Sequence, residues 1–209
     1  MSPPPAPDPE LLRRLDPALH DFATARTDLA PGTLAAVRES LNERRRAAVA
    51  DVDHAGVEVT ELTVPDAGVR VRVYRGAAAP SPALIYCHSG AFVLGNLDTD
   101  HRQCVEWARR AACAVVSVDY RLAPEHPYPA ALDDAAAVLR WVVDHAAELG
   151  LDPHRVAVAG SSAGGALAAG LAQRSAEDDL PPVVGTLLHQ SVLDDRPTAS
   201  KAEFGATPG

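Results

Sequence analysis

A serine at the centre of a Gly-x-Ser-x-Gly pentapeptide is the residue best suited to chemistry in this sequence. Residues 160–164 are Gly-Ser-Ser-Ala-Gly, and Ser162 is the central serine. The pattern is typical of a sharp strand-to-helix turn that holds a serine hydroxyl exposed above a sheet. Glycine suits the flanking positions because a Cβ atom would crowd so tight a turn. The spacing indicates acyl transfer by Ser162, while the simpler alternative is a serine that caps a helix N-terminus.

A second motif, residues 88–92 (His-Ser-Gly-Ala-Phe), directly follows a short apolar segment that ends at Cys87. Acyl transfer needs backbone N–H groups directed at the oxyanion that develops on the substrate. A loop after one strand, together with the residue after the nucleophile, can supply them. His88 itself is interpreted as a structural loop histidine close to the site.

A third motif, residues 119–131, contains the segment Tyr-Arg-Leu-Ala-Pro-Glu followed by two further prolines. Proline fixes its own backbone and restricts the residue before it. Taken by itself, this segment predicts only a rigid loop that leads into a helix.

The pattern of apolar residues predicts the elements that position these motifs. Alternation in residues 57–74 predicts a hairpin. Short apolar strands then alternate with helices, which implies a parallel sheet covered on both faces. Strands are predicted at 83–87, 114–118, 156–159 and 183–188, and helices at 9–28, 34–49, 100–112 (capped by Asp98 or Asp100), 128–149 and 163–173.

Composition excludes several classes of protein. A chain of 209 residues with 47% hydrophobic and 22% charged residues is typical of a globular domain with a sizeable core. The net charge of −9 argues against a nucleic-acid surface, which needs clustered Lys and Arg. The sequence shows no signal peptide and no apolar run of about 20 residues, and three cysteines suit a reducing compartment. We therefore expect a cytoplasmic protein without membrane or nucleic-acid partners.

The three motifs, in this order, resemble the hormone-sensitive-lipase-like branch of the α/β-hydrolase esterases. That branch carries a His-Gly-Gly-Gly-type loop, a Tyr-Arg-Leu-Ala-Pro-Glu segment and a Gly-Asp-Ser-Ala-Gly-Gly elbow, and the resemblance covers roughly residues 55–200. It implies an α/β-hydrolase fold, with a mostly parallel sheet covered by helices. The expected organisation is a disordered segment at 1–8, a helical cap region at 9–52 and a partial hydrolase core at 53–209.

The resemblance also implies a function. It predicts a serine carboxylesterase that acts on small or short-acyl esters through an acyl-enzyme on Ser162. The N–H groups of Gly90, Ala91 and Ala163 would bind the oxyanion. No cofactor and no metal are expected, and the only partner implied is a small ester substrate. The oligomeric state stays open.

The sequence departs from the family at several positions. Ser89 and Ala91 stand where the family has glycine, and Ser161 replaces the aspartate of the elbow. A serine nucleophile needs a base and an orienting acid, which follow it in the chain in this fold. His189 is the only histidine after Ser162, and a residue at a strand end is poorly placed to reach it.

We therefore expect the triad acid and histidine beyond residue 209, in a chain truncated at its C-terminal end and poorly active by itself. The missing strands would leave residues 183–188 as an exposed edge. Asp194 and Asp195 are the internal candidates for the acid, although a turn role suits them better. His126 and His145 are expected to be surface or loop groups. The alternative function is a catalytically silent protein that binds small acyl ligands.

Three other functions are disfavoured. A dinucleotide fingerprint that starts at Gly160 would need glycine at position 162. The residues around Asp98 and Asp100 could suggest a metal site, but carboxylates before a helix are more often caps. Cys87 ends an apolar strand, so we expect a buried and inert thiol.

Overall fold

The computed structural model describes residues 9–22, 29–194 and 196. The chain forms two compact units, residues 1–41 and 42–209. The described elements of the first unit are helix α1 (Pro9–Arg14), a 3-10 helix (Pro17–Phe22) and the first part of helix α2 (Pro31–Val49). The segment 1–8, predicted to be disordered, lies outside the described residues.

The predicted helix over residues 9–28 is wrong in its continuity. Helix α1 ends at Arg14, and Pro17 starts the 3-10 helix. Proline disfavours helical geometry in the residue before it, here Asp16. The Asp16 carboxylate then accepts the N–H of Ala18 at 2.9 Å, which stabilises the turn between the two short helices. Residues 23–28 of the predicted helix lie outside the described part.

One six-stranded sheet forms the second unit. Its strands are β1 (Glu58–Thr63), β2 (Arg70–Arg75), β3 (Ser81–Cys87), β4 (Ala114–Val118), β5 (Leu151–Ser161) and β6 (Thr186–His189). They lie in the order β1-β2-β4-β3-β5-β6. The predicted hairpin is the antiparallel pair β1–β2, and β2 is also antiparallel to β4. The other pairs are parallel, so the predicted mostly parallel sheet is confirmed.

Helices cover both faces of this sheet. Helix α3 (His101–Ala111) packs Cys104, Val105 and Ala108 against one face. Helices α4 (Ala130–Asp144) and α5 (Ala163–Ala176) pack against the other face. Helix α4 is shorter than predicted, because it begins only after Pro129 and ends at Asp144.

The strand register brings two of the sequence motifs together. Cys87 at the end of β3 pairs with Gly160 near the end of β5, and the strands are parallel. The segments that follow them therefore leave the same edge of the sheet side by side. On the far side of β5, Ser161 pairs with His189. Strand β6, the last of the described sheet, exposes Leu187 and Leu188. Among the described residues, no helix is both long and apolar enough to cross a membrane.

Candidate active site

Ser162 occupies a strained turn between β5 and α5. Its backbone has φ 53° and ψ −116°, a region that costs a non-glycine residue roughly 1–3 kcal/mol. The surrounding backbone fixes it, because the Ser162 N–H donates to His189 O at 2.9 Å. The Ser162 carbonyl in turn accepts the N–H of Gly165 at 3.0 Å, in the first turn of α5. This is the geometry that the Gly-x-Ser-x-Gly spacing predicts.

The glycines beside Ser162 are required by close backbone packing. A Cβ atom on Gly160 would lie 2.0 Å from Gly164 O. A Cβ atom on Gly164 would lie 2.0 Å from Cys87 O and 2.5 Å from His88 O. The start of α5 therefore rests directly on the end of β3, so the elbow and the loop after β3 are mechanically coupled.

The hydroxyl of Ser162 is not used as a helix cap. Ser162 is the N-cap residue of α5, yet its side chain makes no capping hydrogen bond. Within the described residues, its Oγ has no hydrogen-bond partner. The capping alternative thus lacks the bond on which it depends, and the half-buried hydroxyl stays available.

Among the described residues, no histidine side chain is hydrogen-bonded to the hydroxyl of Ser162. His189 ends β6, the strand beside β5, but its Nδ1 lies 3.3 Å from the Oγ of Ser161 and is not hydrogen-bonded to the hydroxyl of Ser162. His126 is exposed in a loop, and His145 donates from Nδ1 to Trp141 O at 3.0 Å. Asp195 lies outside the described residues. Asp194 pairs with Arg196 through the guanidinium.

The loop after β3 presents free backbone donors. Gly90, Ala91 and Phe92 have φ values of 145°, 53° and 63°. Gly90 O accepts the N–H of Leu94 at 2.8 Å, which closes the turn. The N–H groups of Gly90, Ala91 and Ala163 have no acceptor among the described residues. A Cβ atom on Gly90 would lie 2.0 Å from Leu94 O, so glycine is needed there.

His88 supports this loop from below. Its side chain is 1% exposed, and its Nδ1–H donates to Ser89 O at 2.9 Å. The ring stacks on Tyr120 with centroids 4.2 Å apart, and the Tyr120 hydroxyl donates to His88 O at 2.8 Å. Burial lowers the pKa of His88, so the ring stays neutral. These contacts suit a structural histidine, not a base.

The third motif also supports the site. Tyr120 contacts His88 as described, and the Ala123 N–H donates to Phe92 O at 3.0 Å. Arg121 binds the carboxylate of Asp134 through both its backbone N–H and its guanidinium, at 2.8 and 2.7 Å. Asp134 is 4% exposed on α4, so the loop is anchored to that helix. The sequence predicted that the third motif forms a rigid loop, but it did not indicate that this loop contacts and supports the loop after β3.

Sequence reasoning missed the contacts of the two carboxylates before α3. Asp100 is the N-cap residue of α3, but its side chain makes no capping bond. Its Oδ2 instead accepts the N–H of Ser89 at 2.9 Å. Asp98 binds Arg72 at 2.9 Å. The expectation that one of these side chains caps α3 is therefore wrong. The sequence offered one indication of the contact with Asp100, namely the serine at position 89, where the family has glycine.

A cavity of about 520 Å³ lies beside His189, the residue whose carbonyl accepts the Ser162 N–H. Asp100 and His189 line it, together with the apolar side chains of Ala48, Val49 and Val52. In the described part of the chain, no cluster of three or more His, Cys, Asp or Glu residues could hold a metal ion. Cys87 is fully buried, and desolvation raises its pKa to about 12, so its thiol stays protonated.

A family model described as the α/β hydrolase fold matches residues 84–208. The chain belongs to this family. The resemblance to its hormone-sensitive-lipase-like branch is thereby confirmed, as is the predicted fold. In this member of the family, Ser162 occupies the strand-to-helix turn after β5, and residues 88–92 form the loop after the neighbouring strand β3.

Several named relatives of the chain are esterases or ester hydrolases. It is 42% identical over 211 residues to esterase LipI of Mycobacterium tuberculosis, covering 98% of this chain and 63% of LipI. It is 44% identical over 110 residues to an ethyl acetate hydrolase of Pseudomonas putida, covering 51% of this chain and 35% of that protein. The crystal structure of esterase LipW from Mycobacterium marinum superposes with a TM-score of 0.86 at 60% identity, covering 97% of this chain and 66% of LipW. The chain thus spans slightly less than two thirds of LipI and of LipW.

Proposed function

We propose that this hydrolase is a serine carboxylesterase that cleaves small or short-acyl esters. The observation that carries the proposal is the strained Ser162, whose hydroxyl has no hydrogen-bond partner among the described residues. Its elbow packs at Gly164 against the end of β3, the strand that leads into the loop with the unbonded N–H groups of Gly90 and Ala91. Esterase names among its relatives support the reaction class. The ethyl acetate hydrolase of Pseudomonas putida supports short esters as the substrate class.

In the proposed mechanism, Ser162 Oγ attacks the ester carbonyl carbon while a base removes the hydroxyl proton. The carbonyl oxygen becomes an oxyanion, and the N–H groups of Gly90, Ala91 and Ala163 stabilise it by donating hydrogen bonds. The tetrahedral intermediate collapses and its acyl–oxygen bond breaks, while the protonated base gives its proton to the leaving oxygen, which departs as the neutral alcohol. Water then attacks the acyl-enzyme by the same route and releases the acid.

The base and its orienting acid are proposed to come from outside the described residues. A serine hydroxyl at its free pKa is a weak nucleophile, and His189 is held against Ser161 and not against Ser162. The same observation favours the second candidate, a catalytically silent hydrolase fold that binds acyl ligands reversibly.

Covalent labelling separates the two functions. A fluorophosphonate forms an Oγ–P bond with an activated serine and releases fluoride, and mass spectrometry locates the adduct. In a chain extended to carry the proposed base and acid, we expect an adduct on Ser162 and hydrolysis of p-nitrophenyl butyrate, both lost in Ser162→Ala. Ser161→Ala is the matched control and should keep both. Labelling elsewhere, or unchanged hydrolysis by Ser162→Ala, contradicts the assignment. Reversible acyl binding without an adduct supports the silent binder.

A further inference from the structure

The carboxylate of Asp100 holds the base of the loop after β3. Its Oδ2 accepts the N–H of Ser89 at 2.9 Å and the hydroxyl of Tyr86 at 2.8 Å. Its Oδ1 accepts the hydroxyl of Ser89 at 3.3 Å. The backbone of Asp100 is fixed as well, because its carbonyl accepts the Cys104 N–H at 3.0 Å in the first turn of α3. The side chain of Asp100, at the start of α3, thus accepts hydrogen bonds from both the N–H and the hydroxyl of Ser89.

The loop after β3 needs these hydrogen bonds because its backbone is strained. Three successive residues, Gly90 to Phe92, have positive φ, and two of them are not glycine. Such a backbone conformation is unfavourable for a non-glycine residue and persists only where its surroundings enforce it. Tyr120 fixes the carbonyl of His88, and Asp100 fixes the N–H of Ser89. The strained segment begins at the next residue.

We propose that Asp100 is the positioning residue for the oxyanion-binding loop of this hydrolase. By binding the Ser89 N–H, it sets the direction in which the N–H groups of Gly90 and Ala91 point. The inference rests on the proposed esterase function for its kinetic consequence, but its structural consequence can be measured independently. Asp100 acts through the loop, by its hydrogen bond to the Ser89 N–H.

The role depends on an acceptor at this position more than on a negative charge. Burial, followed by the nearby charge of Asp100, raises the pKa of Tyr86 above its ordinary range, so its hydroxyl stays protonated and donates. Asparagine in place of Asp100 keeps one oxygen that can accept the Ser89 N–H. Alanine removes every acceptor and leaves the Ser89 N–H unpaired.

The experiment compares three variants of the full chain with the wild type. Asp100→Ala removes the hydrogen bonds to Ser89, Asp100→Asn is the conservative rescue, and Tyr86→Phe removes the other donor to the same oxygen without touching the loop. Circular dichroism and thermal melting establish that each variant folds. Amide hydrogen exchange, read on peptides that cover residues 88–97, reports the loop without any need for activity. Acylation of Ser162 by a fluorophosphonate and ester hydrolysis report the chemistry.

We expect Asp100→Ala to speed exchange in residues 88–97 by about tenfold or more, with little change in the strands. Its acylation rate and kcat should fall by about 10²–10³, the value of one misplaced oxyanion donor, with KM nearly unchanged. Asp100→Asn should recover most of both losses, and Tyr86→Phe should show neither.

Wild-type exchange of the loop in folded Asp100→Ala overturns the inference, as does an equal effect of Tyr86→Phe. If Asp100→Ala does not fold, Asp100→Asn decides: it must keep wild-type loop exchange for the inference to stand. If wild-type Ser162 shows neither adduct nor hydrolysis, the proposed function fails while the exchange data still decide the role of Asp100.

Discussion

Replacement of Gly164 by alanine should break the contact through which α5 rests on β3. The new Cβ atom would lie 2.0 Å from Cys87 O and 2.5 Å from His88 O. Cβ atoms in folded proteins essentially never approach another heavy atom within 3.0 Å, so the helix and the strand end must separate by about 1 Å. Both obstructing atoms are backbone carbonyls, which cannot rotate away as a side chain would.

The size of the effect follows from that separation. Overpacking a buried contact costs about 1–3 kcal/mol in the free energy of unfolding, and a rigid backbone contact belongs at the upper end. The same shift moves Ser162 relative to Gly90 and Ala91. A misplacement of about 1 Å in a reacting geometry can lower the rate by about 10². We therefore expect Gly164→Ala to lose both stability and acylation.

Urea denaturation measures the first loss, and the rate of fluorophosphonate labelling on Ser162 measures the second. Gly185→Ala is the matched control, because its Cβ atom would meet nothing within 4 Å and its φ is not positive. A Gly164→Ala protein that is as stable and as reactive as Gly185→Ala would refute the argument, since it would show that the elbow and the loop are not in rigid contact.

Three further predictions concern the loop, the pH dependence and the third motif. Gly90→Val should lower kcat by about 10²–10³ and change KM much less. The reason is that a φ of 145° and the 2.0 Å approach of a Cβ atom to Leu94 O exclude a side chain at this position. A change confined to KM would show instead that the loop only binds the substrate. Burial, Arg72 and His54 lower the pKa of His101 to about 4, while the charge of Asp98 acts in the opposite direction. His101 therefore binds a proton at a lower pH in the folded state than in the unfolded state. The contribution to stability is complete above pH 6.5 and falls as the pH drops toward 4, by at most about 1.4 kcal/mol per pH unit, and the pH series of urea midpoints should be flatter in His101→Gln. Arg121→Ala should lower the free energy of unfolding by about 1–3 kcal/mol, because it removes the guanidinium and leaves the buried Asp134 carboxylate with only the backbone N–H of residue 121 from this contact. An unchanged urea midpoint would contradict this.

Local patterns were enough to predict the elements of the sheet and the place of Ser162. Strand β4 has the predicted bounds, 114–118, because all five of its residues are buried, so the short and mainly apolar segment of the sequence coincides with the strand. The strand-to-helix turn at Ser162 was predictable because glycine at positions 160 and 164 is a local requirement of the backbone. Pro17 could have been used in the same way to divide the first predicted helix.

Contacts between distant segments were not predictable from such patterns. Asp100 has the spacing of a helix cap, and only the packing of α3 beside β3 directs its carboxylate to Ser89. Tyr120 likewise meets His88 because β3 and β4 are neighbours in the sheet. The rigid loop of the third motif could be predicted as rigid, but its support of the loop after β3 depends on that strand order.

The order of the strands has a consequence for where any ligand can bind. Strands β3 and β5 are neighbours, yet the helices that follow them, α3 and α5, pack on opposite faces of the sheet. The chain therefore leaves these two strands in opposite directions, which makes this point the topological switch of the sheet and opens a crevice between their carboxyl ends. Connectivity alone creates this crevice, before any side chain is chosen. Changes in the loops that border it can alter which ligand binds, while the strands beneath keep the place of binding constant.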